Sequence, residues 1–232
     1  MSALGPVPRS EYLRLRRAVS VTAVFLIAVV TQGAARPDYD PWHQSISALS
    51  LGAHGWIQDT FFLLLGSVLL STAPSWSRIL RGGAGQRSYP VLTAFTGLSL
   101  VAAAWWPQDP APGYDPEQLG LVLPTTTGLL HLTAAGIGAF SSIAAMLVMA
   151  ARFRQLAGWE AWARPTRIAA VLTTVCVVVY AVWSVQPTGL AGTFERLVVI
   201  VPGVWGYAVI RRLGHGVPFV VTSPGSRPAP AA

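Results

Sequence analysis

The chain has 232 residues, of which 53% are apolar and only 11% charged, whereas a soluble domain is roughly a quarter charged. The apolar residues fall in blocks about as long as a bilayer crossing needs, ~20 residues, which excludes a water-soluble globule and points to a polytopic membrane protein. The net charge of +7 comes from sixteen arginines and no lysine; these flank the apolar blocks, so they speak for membrane orientation and against a nucleic-acid partner. With Ala, Gly and Pro abundant, the arginine bias reads as the mark of a GC-rich bacterial genome. Cys176, the single cysteine, lies inside an apolar block, which leaves neither a disulfide framework nor a Cys-based zinc motif.

In chain order, residues 1–16 read as a cytoplasmic N-terminal segment. Six apolar blocks follow at 17–33, 56–76, 89–106, 125–153, 165–185 and 193–213, separated by loops rich in Gly, Pro and Asp. The expected fold is an all-α bundle of six transmembrane helices over residues 17–213. Residues 214–232 form a cytoplasmic tail whose polar, proline-rich part from Thr222 is expected to be disordered. The first block also resembles a signal peptide, because residues 18–30 follow arginines and precede the small residues Gly33, Ala34 and Ala35. Retention is favoured, since five further helices pack better with a sixth.

Arginine placement sets the expected topology. Fourteen of the sixteen lie in the N-terminal segment, the second and fourth loops and the C-terminal region; Arg36 and Arg196 fall on the other side. The acids reverse this, with only Glu11 and Glu160 among the arginine clusters. Both termini are therefore expected in the cytoplasm of a bacterial inner membrane. Most tryptophans, Trp105 and Trp106 included, fall near predicted interfaces, where anchoring is their default role.

Candidate chemistry concentrates on the outer side. Read as a helix, the first outer loop aligns His43, Ser47, Ser50 and His54 at i, i+4, i+7 and i+11 on one stripe, with Trp42, Ile46, Leu49 and Ala53 on another. It reads equally as an interfacial helix and as the lid of a pocket, and Gly52 and Gly55 are placed to end it. His131 lies about six residues into the fourth block, ~9 Å deep at 1.5 Å per residue, where an ionisable group faces the bundle interior and needs a partner. Asp59 lies near the outer end of the second block, and Glu195 and Arg196 near that of the sixth. These last two point ~100° apart around their helix. A purely structural reading accounts for the same letters: His131 bonded to a backbone carbonyl, and Arg196 neutralising a loop acid.

Together these residues carry a resemblance. Ser47-x-x-Ser50 with Leu49 after the first block, Trp106-Pro107-Gln108-Asp109 after the third, Gly128-x-x-His131 in the fourth and Gly192-x-x-Glu195-Arg196 opening the sixth resemble the family called domain of unknown function 998. The likeness runs from about Arg14 to Leu213. Trp106 stands where the family pattern has phenylalanine; the proline and the acid are kept. The resemblance implies a bacterial six-helix membrane protein and selects Ser47, Ser50, Asp109, His131, Glu195 and Arg196 as pocket residues. It implies no reaction.

Three classes of function remain open. An enzyme acting on a lipid or isoprenoid substrate would use His131 with Asp59, Asp109 or Glu195 as acid and base, and Ser47, Ser50 and Arg196 as substrate contacts. Trp105 and Trp106 could then stabilise a cationic intermediate, as an acid-initiated isoprenoid cyclase requires. A zinc variant would take His43, His54 and His131 with a carboxylate, although no His-Glu-x-x-His motif supports it. A small-molecule or proton-coupled transporter would use His131 as a relay; no charged residue near the middle of any block favours this. A non-catalytic membrane assembly protein would dock through the outer acids, Asp38, Asp40, Asp115 and Glu117 among them.

Overall fold

The computed structural model describes residues 7–110, 124–184 and 189–216. Six α-helices account for most of them: α1 Arg9–Ala34, α2 Gly55–Ile79, α3 Ser88–Trp105, α4 Thr126–Phe153, α5 Ala163–Trp183 and α6 Ala191–Gly216. Two short 3₁₀ helices, Ile46–Ser50 and Glu160–Trp162, complete the secondary structure, and no strand occurs among the described residues. The fold is all-helical, as expected. Five of the helices, α2 to α6, are long and apolar enough to cross a membrane. α1 differs because five of its first nine residues are charged: Arg9, Glu11, Arg14, Arg16 and Arg17. The helix nevertheless begins eight residues before the apolar block, directly after Pro8. The expected disordered tail from Thr222 and the loop acids Asp115 and Glu117 lie outside the described residues.

Each helix packs on its chain neighbours from α1 to α6, and α6 returns to α1, closing the bundle. At the α2–α3 crossing a Cβ on Gly66 would lie 2.6 Å from the Gly97 carbonyl oxygen, and one on Gly97 would lie 2.7 Å from that of Gly66. Only a pair of glycines allows this backbone approach, the usual device of helix pairs that have no hydrophobic effect to drive them together in lipid.

The two ends of the bundle differ in charge and in core. One end collects the start of α1, the α2–α3 loop, the α4–α5 connection and the end of α6. Its core joins Leu15, Trp76, Leu80, Met149, Phe153 and Leu213. Thirteen described arginines lie there against two acids, Glu11 and Glu160; buried Glu11 is bridged by Arg14 at 3.1 Å and by Arg78. The opposite, acidic end has its own core of Phe25, Val29, Tyr39, Ile46, Ala48, Leu49, Phe62 and Leu65. Ile46 and Leu49 are 1% and 0% exposed, and burying each stabilises by ~1.5–3 kcal/mol relative to leaving it in water. The first acidic-end loop is therefore drawn into the bundle, where irregular backbone is tolerated.

This loop corrects the expectation of one helix from His43 to His54. Only Ile46–Ser50 is helical, and it is 3₁₀. The Trp42 and His43 carbonyls accept from the Thr193 and Gly192 N–H groups at 3.1 and 3.2 Å, so they serve α6 and cannot extend a helix of their own. Leu51 is extended and Gly52 takes φ 78°, which ends the segment. Ser47 and Ser50 still share a face, because 3₁₀ geometry aligns i and i+3; His43 and His54 leave the stripe.

Candidate functional site

Two consecutive residues of α6, Glu195 and Arg196, hold the loop that is drawn into the bundle. Arg196 donates to the carbonyls of Gln44 at 3.1 Å and Gly192 at 2.7 Å and to the Tyr39 hydroxyl, and its guanidinium lies 5.6 Å from the centre of the Tyr39 ring. Tyr39 in turn donates to the Ser45 carbonyl at 2.8 Å. Burial raises the Tyr39 phenol from 10.0 to about 12, outweighing the opposite pull of Arg196. The Glu195 carboxylate accepts from the Ile46 N–H and from the Ser47 hydroxyl at 3.5 Å. The carboxyl oxygens thus meet the start of the 3₁₀ helix, where N–H groups lack backbone partners. The Ser45 hydroxyl caps that helix by accepting from the Ala48 N–H at 3.1 Å and donates to Gln108 Oε1 at 2.9 Å. Glu195 and Arg196 do diverge around α6, but both end on this loop; among the described residues Arg196 bridges no loop acid.

The α3–α4 junction is built by capping. Asp109 accepts from the Thr125 N–H at 2.8 Å and the Thr125 hydroxyl at 2.6 Å, and Thr125 itself caps α4 by accepting from the Gly128 N–H at 3.1 Å. A Cβ on Gly128 would lie 2.0 Å from Asp109 Oδ2. The Asp109 and Gly128 motifs are therefore one device seen twice in the sequence. One turn further on, buried His131 donates from Nδ1 to the Trp106 carbonyl at 2.7 Å, with the Ala103 carbonyl at 3.2 Å. These are carbonyls left free at the end of α3. Since a carbonyl only accepts, Nδ1 carries the proton, which fixes the tautomer in which Nε2 is the nitrogen that can accept.

The third group is less completely paired. A Cβ on Gly55 would lie 1.9 Å from the Ser50 carbonyl oxygen, so α2 starts hard against the end of the 3₁₀ helix, and Asp59 follows one turn later on the same face. Asp59 faces the Ser50 hydroxyl and lies within electrostatic reach of His131. Among the described residues, Ser50 Oγ and Asp59 Oδ1 are nonetheless buried without a well-formed hydrogen bond. Beside them, fully buried Gln58 accepts through Oε1 from Gln32 Nε2 at 2.9 Å, while Gln58 Nε2 and Gln32 Oε1 are also unpartnered. Buried polar atoms in this state are uncommon and call for an explanation.

The fold brings Ser47, Ser50, Asp59, Asp109, His131, Glu195 and Arg196 to one end of the bundle. It does not gather the histidines of the zinc variant. His43 is held on the exposed loop by Asp40 at 2.7 Å, His54 is exposed ahead of α2, and His131 is buried under α3. Among the described residues no three His, Cys, Asp or Glu side chains are placed to hold a metal. Asp40 is exposed; slight desolvation pushes its carboxyl up, but the Trp42 N–H and His43 together hold it below the ordinary value of 3.8. Trp105 is 78% exposed and turned away from the bundle, whereas Trp106 is half-buried beside His131.

A family model, "Protein of unknown function (DUF998)", matches residues 19–212. The chain belongs to this family. No curated protein and no solved structure matches it. The matched span takes in every residue of the three groups above. Sequence reasoning missed Tyr39, Ser45, Gln108, Gln32 and Gln58. The two glutamines carried a readable signal: each is a polar side chain near the end of an apolar run, where an unpaired amide is costly in lipid and facing another helix is the remedy.

Proposed function

We propose that this family member is a membrane enzyme that acts by proton transfer on a lipid or isoprenoid substrate, with Asp59 and His131 as the acid–base pair and Ser50 as the substrate contact. One observation carries the reading. Of the acids and bases first considered, Asp109 and Glu195 are consumed in capping, whereas Asp59 keeps one buried oxygen with no well-formed hydrogen bond among the described residues and lies within electrostatic reach of His131. The Nδ1–H bond to the Trp106 carbonyl orients the His131 ring and leaves Nε2 as a proton acceptor, the arrangement a general base needs. Half-buried Trp106, whose carbonyl accepts from His131, is the tryptophan assigned here to face a developing positive charge; Trp105 is assigned an anchoring role. In this reading all six helices cross a bacterial inner membrane with both termini in the cytoplasm. Its supports are the arginine-rich end and α1, which packs along α2 and α6 and at 26 residues reaches ~39 Å. Production of the wild-type protein in a host lacking it should change the abundance of at least one lipid or isoprenoid species. Asp59→Asn and His131→Gln, folded as judged by thermal melting, should abolish that change. Folded variants giving the wild-type lipid profile would refute the assignment.

A further inference from the structure

α5 turns one stripe away from the bundle at its arginine-rich end. The aliphatic stems of Arg164 and Arg167 line, with Ile168, Val171 and Leu172, an open and almost wholly apolar groove of about 350 Å³; their spacings of three and four place them on one face. The opposite face, with Ala163, Thr166, Ala170, Thr173 and Cys176, is buried in the bundle. Both guanidiniums are exposed, and among the described residues neither takes part in an ion pair. The acids of this end do not balance them: Glu11 is held by Arg14 and Arg78, and Glu160, a turn before Arg164, is exposed and unbridged. Ile168, Val171 and Leu172 are about half exposed inside a helix apolar enough to span the bilayer. Leu172 lies ~12 Å along the axis from Arg164, toward the middle of a ~30 Å hydrocarbon core.

We propose that this groove binds an anionic phospholipid of the adjoining leaflet, its phosphate held between Arg164 and Arg167 and an acyl chain lying along Ile168, Val171 and Leu172. Guanidinium forks match phosphate oxygens in geometry and charge. A second copy of the chain is a poor occupant, because a two-fold contact through this stripe would bring arginine against arginine. The site is independent of the acid–base reading at the other end.

The test uses the full chain in nanodiscs of phosphatidylglycerol mixed with phosphatidylcholine, released into native mass spectrometry to count retained lipids. The wild type should retain phosphatidylglycerol over phosphatidylcholine by about tenfold or more, given the contribution of each basic side chain near an anionic surface. Arg164→Gln/Arg167→Gln should lose that preference, and Val171→Trp, which fills the groove and leaves both arginines, should lower retention. Arg16→Gln/Arg17→Gln, exposed elsewhere at the same end, should retain the lipid. Equal retention of the two lipids, an unchanged groove variant, equal loss in the control pair or a dimer dependent on the stripe would each overturn the proposal.

Discussion

Replacing Gly128 with alanine tests the capping device that sets α4, and with it His131, against α3. The added Cβ would lie 2.0 Å from Asp109 Oδ2 and 2.3 Å from its Cγ, so the carboxylate has to leave. Its departure breaks the 2.8 Å bond from the Thr125 N–H and the 2.6 Å bond from the Thr125 hydroxyl. On this exposed site each is worth about 0.5–1.5 kcal/mol, and the favourable placement of a negative charge at a helix start falls within the same sum. Alanine returns up to about 1 kcal/mol as the better helix former, leaving a net loss of about 1–2 kcal/mol for Gly128→Ala. Asp109→Ala loses the same bonds without a clash. In the double variant the clash is gone and alanine's helix propensity remains, so it should be no less stable than Asp109→Ala alone. Chemical unfolding in detergent micelles would give the four free energies of the cycle. Losses that add to within about 0.5 kcal/mol would refute the reasoning, because independent sites behave that way.

Alkaline pH should loosen the re-entrant loop. With the Tyr39 phenol raised to about 12, the folded state holds a proton that the unfolded chain releases near 10; this contribution is complete below pH 10 and is lost as pH rises toward 12. The ultraviolet absorbance of tyrosinate should show one phenol titrating near 12 in the folded wild type and missing from Tyr39→Phe, and Tyr39→Phe should speed hydrogen exchange at residues 39–51 at neutral pH. Arg196→Lys keeps the charge but not the fork that reaches Gln44, Gly192 and Tyr39; its faster exchange should be confined to the loop and the start of α6. At the other end, a Cβ on Gly83 would lie 1.2 Å from Nη1 of the fully buried Arg152. Gly83→Ala should therefore destabilise by about 1–3 kcal/mol, measured by chemical unfolding, because the end of a buried side chain must shift and its 3.3 Å bond to the Arg81 carbonyl is lost.

The helices were largely legible because bilayer thickness and hydrophobicity act on contiguous residues: the blocks at 89–106 and 125–153 match α3 and α4 within one residue. α1 runs about two turns beyond the apolar block, over charged residues whose contacts, such as Glu11 with Arg78 on α2, no local window contains. The first acidic-end loop was misread for a related reason. Its periodicity was that of an amphipathic helix, but its Trp42 and His43 carbonyls are taken by α6, some 150 positions away in the chain. The site was legible as a set of residues and not as roles. Asp109, Glu195 and Arg196 look catalytic as isolated charges, and only their partners reveal them as caps and anchors. Gln32 and Gln58 were overlooked because an amide attracts less notice than a charge, although in lipid it equally needs a partner.

The most direct measurement of the central claim is solvent-proton transfer to lipid. Purified protein in nanodiscs made from host membrane lipids would be incubated in deuterated water and the lipids analysed by mass spectrometry. The account predicts that the wild type places deuterium at a carbon of one lipid or isoprenoid species and that Asp59→Asn, folded to the same melting temperature, does not. No incorporation by the wild type, or equal incorporation by the variant, would contradict it.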